Sequence, residues 1–269
     1  MANIFATGTT GTIGKHLGSS IGTIDIDLSD NPNSFNSISF DENMVIIHAA
    51  AVVGVEKVIK DINYSHRVNV LGTINLARVA LKSNISKFVL VSTSHVYAKS
   101  NRLLFEHSKV SPLSEYAEQK LQAEQAITEM FKDFPTKLCI VRVFSVLDWD
   151  TPQYTLGDTV RKIVLGDPNA FVRFVDDIRD FLTPKQVANS LIKIAKTENL
   201  TGIVNLSSAQ GMTVFDAVSV MLELAGVGLK ADLLHRGKSE IPRIVGSNSK
   251  LKNQIPDLEL SWSPSPFKS

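Results

Sequence analysis

The chain has one cysteine in 269 residues, so Cys139 has no partner for an intramolecular disulfide and no companions for a cysteine-based zinc cluster. It lies in the apolar run Leu138-Cys-Ile-Val141, a core position compatible with a reducing compartment. An excess of one charge is missing too: 28 Lys and Arg face 27 Asp and Glu, a formal net charge of +1. Binding nucleic acid through its phosphates calls for a basic excess, which this balance excludes. Long hydrophobic runs are also absent. The stretch Val45 to Val55 is broken by His48 and Gly54 and falls far short of the roughly 20 residues a membrane-spanning helix needs. No long apolar segment of the signal-peptide kind opens the chain. The six histidines are scattered without metal-ligand spacing, and repeats and low-complexity runs do not occur. These absences predict a soluble, cytoplasmic protein without a metal or a membrane contact, acting on small neutral or anionic ligands.

What is present is an alternation of buried strands and amphipathic helices, which argues for an α/β fold. Ile4-Phe-Ala6 reads as a short strand that runs into Thr7-Gly8-Thr-Thr10-Gly11-Thr-Ile13-Gly14. In such a strand-to-helix turn Gly8 can take a positive φ, Gly11 lets a phosphate approach the backbone, and Gly14 lets helix and strand pack closely. The helix N-terminus then offers amides and a positive dipole end to a pyrophosphate. A tight structural turn is the competing explanation for the glycines. The next strand is expected over Thr23 to Asp27, where an acidic residue would receive the adenosine ribose. Asp27, nearer the strand end, is the candidate, with solvation of a turn as the alternative. Both Asp25 and Asp27 follow Gly14 so closely that the first helix must be short. No Lys or Arg follows before Lys57, which favours NAD and leaves NADP open.

Met44 to His48 reads as a strand leaving through Ala49, Ala50 and Ala51, small enough for a flat cofactor to pass. A helix is expected from about Asn63 to Ser83, with Val70, Ile74, Ala77 and Leu81 as one apolar stripe and Asn69 inside it. Lys87 to Thr93 is the next strand; it ends in the hydroxyls of Ser92, Thr93 and Ser94, and Tyr116-Ala-Glu-Gln-Lys120 follows. On a helix the Tyr116 phenol and the Lys120 ammonium share a face. Bringing a tyrosine from ~10 to neutrality takes roughly 3 units, or about 4 kcal/mol, which a positive charge at ~4 Å supplies in an effective dielectric near 20. Taken alone, such a pair also occurs on any solvated helix face. Further along, strands are expected over Thr136–Val143 and Gly202–Leu206, helices over Val187–Ala195 and from Thr213, and helix with loops over 147–176.

The strings T-G-T-T-G-T-I-G, H-A-A-A, N-V-L-G-T, V-S-T-S-H-V-Y, Y-A-E-Q-K and R-V-F occur in that order over residues 7 to 144. In this the chain resembles the extended short-chain dehydrogenase/reductase family, the NAD(P)-dependent epimerases and dehydratases of nucleotide sugars. The resemblance implies a doubly wound Rossmann parallel sheet with a small C-terminal substrate lobe. The dinucleotide-binding part would comprise residues 1–144 with about 178–206, and the lobe about 145–177 and 207–269. It implies Tyr116 as catalytic acid/base, Lys120 as the residue that lowers its pKa and holds the nicotinamide ribose, and Thr93 as a hydrogen-bonding partner of the reacting sugar oxygen. Gly8, Thr10, Gly11, Ile13, Gly14, Asp27, Ala49, Ala50 and Asn69 would surround the NAD.

In 4,6-dehydratases the segment after the strand reads T-D-E-V-Y; here it is Thr93-Ser94-His95-Val96-Tyr97, so elimination by that acidic pair is not expected. His95 stands where that glutamate would, and its imidazole titrates near neutral pH. Proton transfer, substrate hydrogen bonding and a structural role remain open for it, with Ser94 a neighbouring substrate or turn hydroxyl. Ile178-Arg179-Asp-Phe181 resembles the family's R-D-F segment, which implies that Arg179 meets the diphosphate, unless a salt bridge within the lobe holds it. Arg243, in Ile241-Pro-Arg243, is a second phosphate candidate. Arg142-Val-Phe-Ser145-Val departs from the family's R-x-x-N-V-Y-G-P, with Ser145 in place of asparagine. The expected activity is C4 epimerisation or 4-keto reduction of a nucleotide-activated sugar, and a noncatalytic dinucleotide-binding or regulatory protein of the same fold is the alternative. The resemblance also implies a homodimer through a four-helix interface formed by the helices after Asn63 and Ser114, unless their stripes, the second at Ala123, Ile127, Met130 and Phe134, face the subunit's own sheet.

Overall fold

Three apolar runs of the first half lack the polar alternation of a half-exposed strand, which suits strands covered on both faces. They form β3 (Met44–His48), β4 (Lys87–Thr93) and β5 (Leu138–Val143), whose residues are buried almost throughout. With β1 (Asn3–Thr7), β2 (Gly22–Thr23) and β8 (Gly202–Leu206) they make a six-stranded parallel sheet in the order β2-β1-β3-β4-β5-β8. The computed structural model describes residues 3–19, 21–29, 35, 38–149, 151, 155–228 and 233–267; Pro152 in the expected lobe segment lies outside them.

Because side chains alternate along a strand, the sheet feeds two cores. Met44, Ile46, Phe88, Leu90, Leu138 and Ile140 meet α3 (Thr73–Lys82) and α4 (Glu115–Met130) on one face. Val45, Ile47, Val89, Cys139 and Val141 meet α6 (Pro184–Lys196) and α8 (Ser249–Gln254) on the other. Helices on both faces of a parallel sheet are the doubly wound arrangement expected from the sequence. The apolar stripes of α3 and α4 turn inward in part: Ala77, Ala123 and Ile127 are fully buried, and Ala77, Leu81, Ile127 and Met130 pack in the first of these cores, whereas Ile74 is half-buried and Phe134 is exposed.

The first helix is short, as expected, and the second strand needs correction. The helix after the glycine loop is reduced to one 3₁₀ turn, Gly14–His16, which runs through Leu17 into Gly18 at φ +82°. The second strand is Gly22–Thr23 rather than Thr23–Asp27; its ladder ends with the Ile24 amide on the Ala6 carbonyl at 2.8 Å. The physical reason is chain length, since the loop returns to β1 after a few residues and cannot hold a full helix. The helix expected over Asn63–Ser83 starts at α2 (Ile62–His66), capped by Asp61 on the Tyr64 amide at 2.8 Å, and passes through a π-helical stretch, Arg67–Gly72, into α3.

A second sheet pairs β6 (Ser145–Val146), β7 (Ile178–Leu182) and β10 (Arg243–Ile244) in parallel, with β9 (Gly211–Thr213) antiparallel on β7. Segment 178–206 is thus divided, with β7 in this sheet and β8 in the large one. Helices α5 (Leu156–Val164) and α7 (Val214–Leu224) enclose a separate core of Leu147, Trp149, Val160, Phe181 and Met221. Thr213 caps α7 through the Asp216 amide at 3.0 Å, as its place before the helix predicts. The remaining short helix is α1 (Val55–Lys60). Among the described residues no helix is long and apolar enough to cross a membrane.

Candidate active site

Strands β1 and β3 end level, with Thr7 paired to His48, and the chain leaves β1 toward β2 on the opposite side. Ligands of open α/β sheets bind beyond the strand ends at such a switch point. Gly8, at φ +70°, lies so close to the loop after β3 that a Cβ would stand 2.6 Å from the Ala50 nitrogen and 2.9 Å from the Ala49 carbonyl carbon. A Cβ on Gly14 would stand 2.0 Å from the Gly8 oxygen, whereas one on the exposed Gly11 would meet only that oxygen, at 3.2 Å. Thr10 is exposed, and Ile13 packs on the core under the loop. The amides of Thr12 and Ile13 have no acceptor among the described residues. Asp27 is exposed beyond the strand and accepts from the Ser29 hydroxyl at 2.7 Å and the Ser29 amide at 2.8 Å, bonds that pull its pKa below the usual carboxylate value. Continuing the Ala6–Thr23 register sets Asp25 level with Gly8.

Behind this loop one directed chain of hydrogen bonds is buried. The Ala50 amide donates to Thr7 Oγ1 at 3.2 Å, and Thr7 Oγ1 meets His48 Nδ1 at 2.7 Å. His48 Nε2 lies 2.9 Å from Thr73 Oγ1, whose hydroxyl donates to the Asn69 carbonyl at 2.9 Å. Since the Thr73 proton is spent on Asn69, Nε2 must carry the imidazole proton and Nδ1 must accept from Thr7. Burial, and then the Lys120 charge, push the His48 pKa down to about 3, which agrees with a neutral ring. The Asn69 side chain is fully engaged: Oδ1 accepts from the Val52 amide at 2.8 Å, and Nδ2 donates to the Val52 carbonyl at 3.0 Å and to Gln119 Oε1 at 2.9 Å. It braces the β3 exit against α4 from inside a π-helical stretch, a distortion frequent at functional sites.

Helix α4 starts at Ser114, which caps the Ala117 amide at 3.3 Å, and acidic Glu115 and Glu118 suit its positive end. It packs on β4 and on the 3₁₀ turn Ser94–Val96 that follows Thr93. This brings the three candidates Thr93, Tyr116 and Lys120 to one end of β4. Thr93 Oγ1 accepts from the His95 amide at 3.2 Å, so its proton is available to a ligand. Tyr116 is half-buried. Lys120 is 2% exposed, and its Nζ is not one of the enclosed, unpartnered side-chain atoms of the described residues. The pKa directions differ from the expectation of a phenol lowered by its lysine. Burial pushes Tyr116 up to about 12. Lys120 is pushed down to about 8 by burial, against the opposing pull of Glu124. Burial is the cause of the Tyr116 rise, which solvent softens because the ring is half-exposed.

Spacing alone shows Glu124 four residues after Lys120, but nothing in the sequence marks its partners. Its buried carboxylate accepts from Ser92 Oγ and pairs with Arg142 Nη2 at 2.6 Å and Nε at 3.2 Å.

Between the start of α4 and the second sheet lies a cleft of about 220 Å³ lined by His95, Leu113, Ser114, Arg179, Ser239 and Glu240 among others. Arg179 Nη2 pairs with Asp177 at 2.8 Å and reaches Ser239 Oγ at 3.3 Å, while Nη1 donates to the Ile178 carbonyl at 3.0 Å. The lobe salt bridge is therefore present, and it holds the guanidinium at the cleft wall. Close packing, and then the Arg179 charge, push His95 down to about 4, although the ring is exposed and solvent softens that drop. The Ser94 hydroxyl and Arg243 Nε are buried without a hydrogen-bond partner among the described residues, and Arg243 lies outside this cleft.

The chain is 24% identical over 242 residues to a UDP-glucose 4-epimerase of Halalkalibacterium halodurans, covering 81% of this chain and 70% of that protein. It is 22% identical over 284 residues to a GDP-6-deoxy-D-mannose reductase of Pseudomonas aeruginosa, covering 97% and 91% respectively. The structure of RMD from Pseudomonas aeruginosa complexed with NADPH superposes with a TM-score of 0.80 at 21% identity, covering 94% of this chain and 92% of that one, a likeness of fold. The family model for the NAD dependent epimerase/dehydratase family matches residues 15–207, more than half of the sequence. The chain belongs to the NAD dependent epimerase/dehydratase family.

Proposed function

We propose that the chain transfers hydride between NAD(P) and a nucleotide-activated sugar, as a C4 epimerase or a 4-keto reductase, with Tyr116 moving the proton. The observation that carries this reading is Lys120, a residue 2% exposed, one helical turn from the Tyr116 phenol on the helix that packs against β4 and the turn after it. Enclosing a cation is costly, and burial lowers its pKa to about 8 against the pull of Glu124.

The residues fit a dinucleotide. Gly8 and Gly14 allow backbone approaches that any side chain would block, Gly11 is open, and the Thr12 and Ile13 amides are available to a phosphate. Ala49 and Ala50 offer a smooth wall, and Asp27 or the better aligned Asp25 would take the adenosine ribose. Lys120 would hold the nicotinamide ribose. Bound nicotinamide supplies the hydride donor or acceptor. Thr93 directs its hydroxyl proton to the reacting sugar oxygen, and Tyr116 gives or takes the proton at that oxygen. The protonated phenol suits delivery to a carbonyl, as in 4-keto reduction. Withdrawal of a proton from an alcohol needs the phenol lowered by positive charge beside it.

In this reading the large sheet carries the cofactor and the cleft facing the second sheet carries the substrate. Arg179, preset by Asp177 and Ser239, presents its fork to the diphosphate, with Arg243 a second cation farther out. His95, neutral at pH 7, hydrogen-bonds the sugar. Similarity to both an epimerase and a reductase supports both chemistries.

The test is to incubate the purified protein with UDP- and GDP-hexoses and their 4-keto forms, with NAD or NADPH, and to identify products by mass spectrometry and NMR. Inversion at C4 without net cofactor consumption identifies an epimerase, and stoichiometric NADPH oxidation with a 4-keto sugar identifies a reductase. No turnover, together with an undiminished biological effect of Tyr116→Phe, would mean a noncatalytic dinucleotide-binding protein.

A further inference from the structure

Two cations and one carboxylate are enclosed where α4 lies on the middle of the large sheet. Ser92 and Arg142 face each other across β4 and β5, and both bond Glu124 from α4. Glu124 and Arg142 are each 3% exposed. Arg142 is held further by the Tyr97 ring, 4.7 Å from its guanidinium carbon, and by the Glu106 carbonyl at 3.4 Å. Tyr97 in turn donates to Asn205 Oδ1 at 2.6 Å. Glu124 is therefore fixed by two strands and sits one helical turn below Lys120, on the same helix face.

We propose that Glu124 is a positioning residue of the active site: clamped by Ser92 and Arg142, it sets the pitch of α4 over β4 and supplies the negative charge that holds the Lys120 ammonium in its charged form beneath Tyr116. This rests on the reading that Lys120 serves the site. A purely structural ion pair would need no relation to Lys120, yet among the described residues Glu124 is the carboxylate whose charge acts on that lysine, opposing its desolvation. The other titratable groups around Lys120 are Tyr116 on its own helix and His48 from β3, which is neutral. Those around Glu124 are Arg142 from β5, Tyr97 after β4 and, through its effect on Tyr97, Glu106. Without Glu124 the enclosed set would hold only positive charge.

The experiment is a pH titration of the Lys120 side chain by NMR in the full chain, its signal assigned by its loss in Lys120→Arg, alongside the pH profile of turnover. Glu124→Gln is expected to move the Lys120 titration down by about one unit or more and to move the alkaline limb of kcat by the same amount. Glu124→Asp keeps the charge, and with it the fold, but draws the carboxylate back by one methylene; it should give a smaller shift in the same direction and recover most of the turnover. If either variant folds and leaves the Lys120 titration where it was, the proposal is overturned, whatever happens to turnover. A shifted titration with an unshifted turnover profile would support the coupling and count instead against Lys120 as a group of the catalytic site.

Discussion

Thr7 and His48, paired in register at the ends of β1 and β3, share a hydrogen bond of 2.7 Å in which Thr7 Oγ1, also the acceptor of the Ala50 amide, donates to Nδ1. Through Thr73 their partnership joins the glycine loop to the helix that follows Asn69.

The first prediction concerns acid stability. The folded His48 pKa, about 3, lies below the ordinary 6.5, so the unfolded chain binds the additional proton. Its contribution to stability is complete above about pH 6.5 and is lost as pH falls toward 3, at up to about 1.4 kcal/mol per unit. Urea unfolding at several pH values should show this slope, and His48→Asn should flatten it between roughly pH 6.5 and 5. The variant should also lose about 1–3 kcal/mol at neutral pH, because Thr7 and Thr73 lose buried partners. An unchanged slope would refute the assignment.

Tyr116→Phe removes the proton carrier without disturbing the helix. Turnover is expected to fall by roughly 10²–10⁴-fold, while cofactor affinity measured by calorimetry stays within about twofold, since the aromatic ring and its packing surface are kept. Equal losses of turnover and binding would contradict the proposed division of labour.

At Gly14 a Cβ would stand 2.0 Å from the Gly8 oxygen, whereas Gly18 has nothing within 4 Å and only its φ of +82° to lose. Gly14→Ala should therefore abolish dinucleotide binding and destabilise by about 1–3 kcal/mol. Gly18→Ala should cost about 1 kcal/mol of strain and leave binding in place. Melting curves and cofactor titration separate the two.

Removing Arg179 takes a positive charge away from His95. In Arg179→Ala the His95 titration, followed by NMR, should rise from its lowered value toward 6.5, because desolvation alone then depresses it. KM for a nucleoside-diphosphate sugar should rise more than tenfold with kcat little changed, the signature of lost ground-state binding. A fall in kcat at constant KM would place Arg179 outside the diphosphate site.

The features legible in the sequence were local ones. The glycine loop, the strand ending at Thr93 and the Tyr116–Lys120 spacing each declare themselves within a dozen residues or so, through backbone sterics and side-chain period. Asp27 shows the limit of that legibility. Its carboxylate reads as the end of a strand, but the short return of the chain to β1 turns it toward Ser29. The contacts of Arg179 with Asp177 and Ser239, the latter 60 residues away, have no local signature in the sequence.

By itself, then, the sequence determined the α/β alternation, the phosphate loop and the helix face that carries tyrosine and lysine, because each follows from the geometry of a few consecutive residues. Only the tertiary structure decided how those groups are charged and held. Glu124 meets Ser92 and Arg142 across sequence separations of 32 and 18, and His48 meets Thr7 and Thr73 across 41 and 25. In the chain alone burial pushes the Tyr116 phenol up and the Lys120 ammonium down, since desolvation is set by every element packed around a group rather than by its neighbours in the chain.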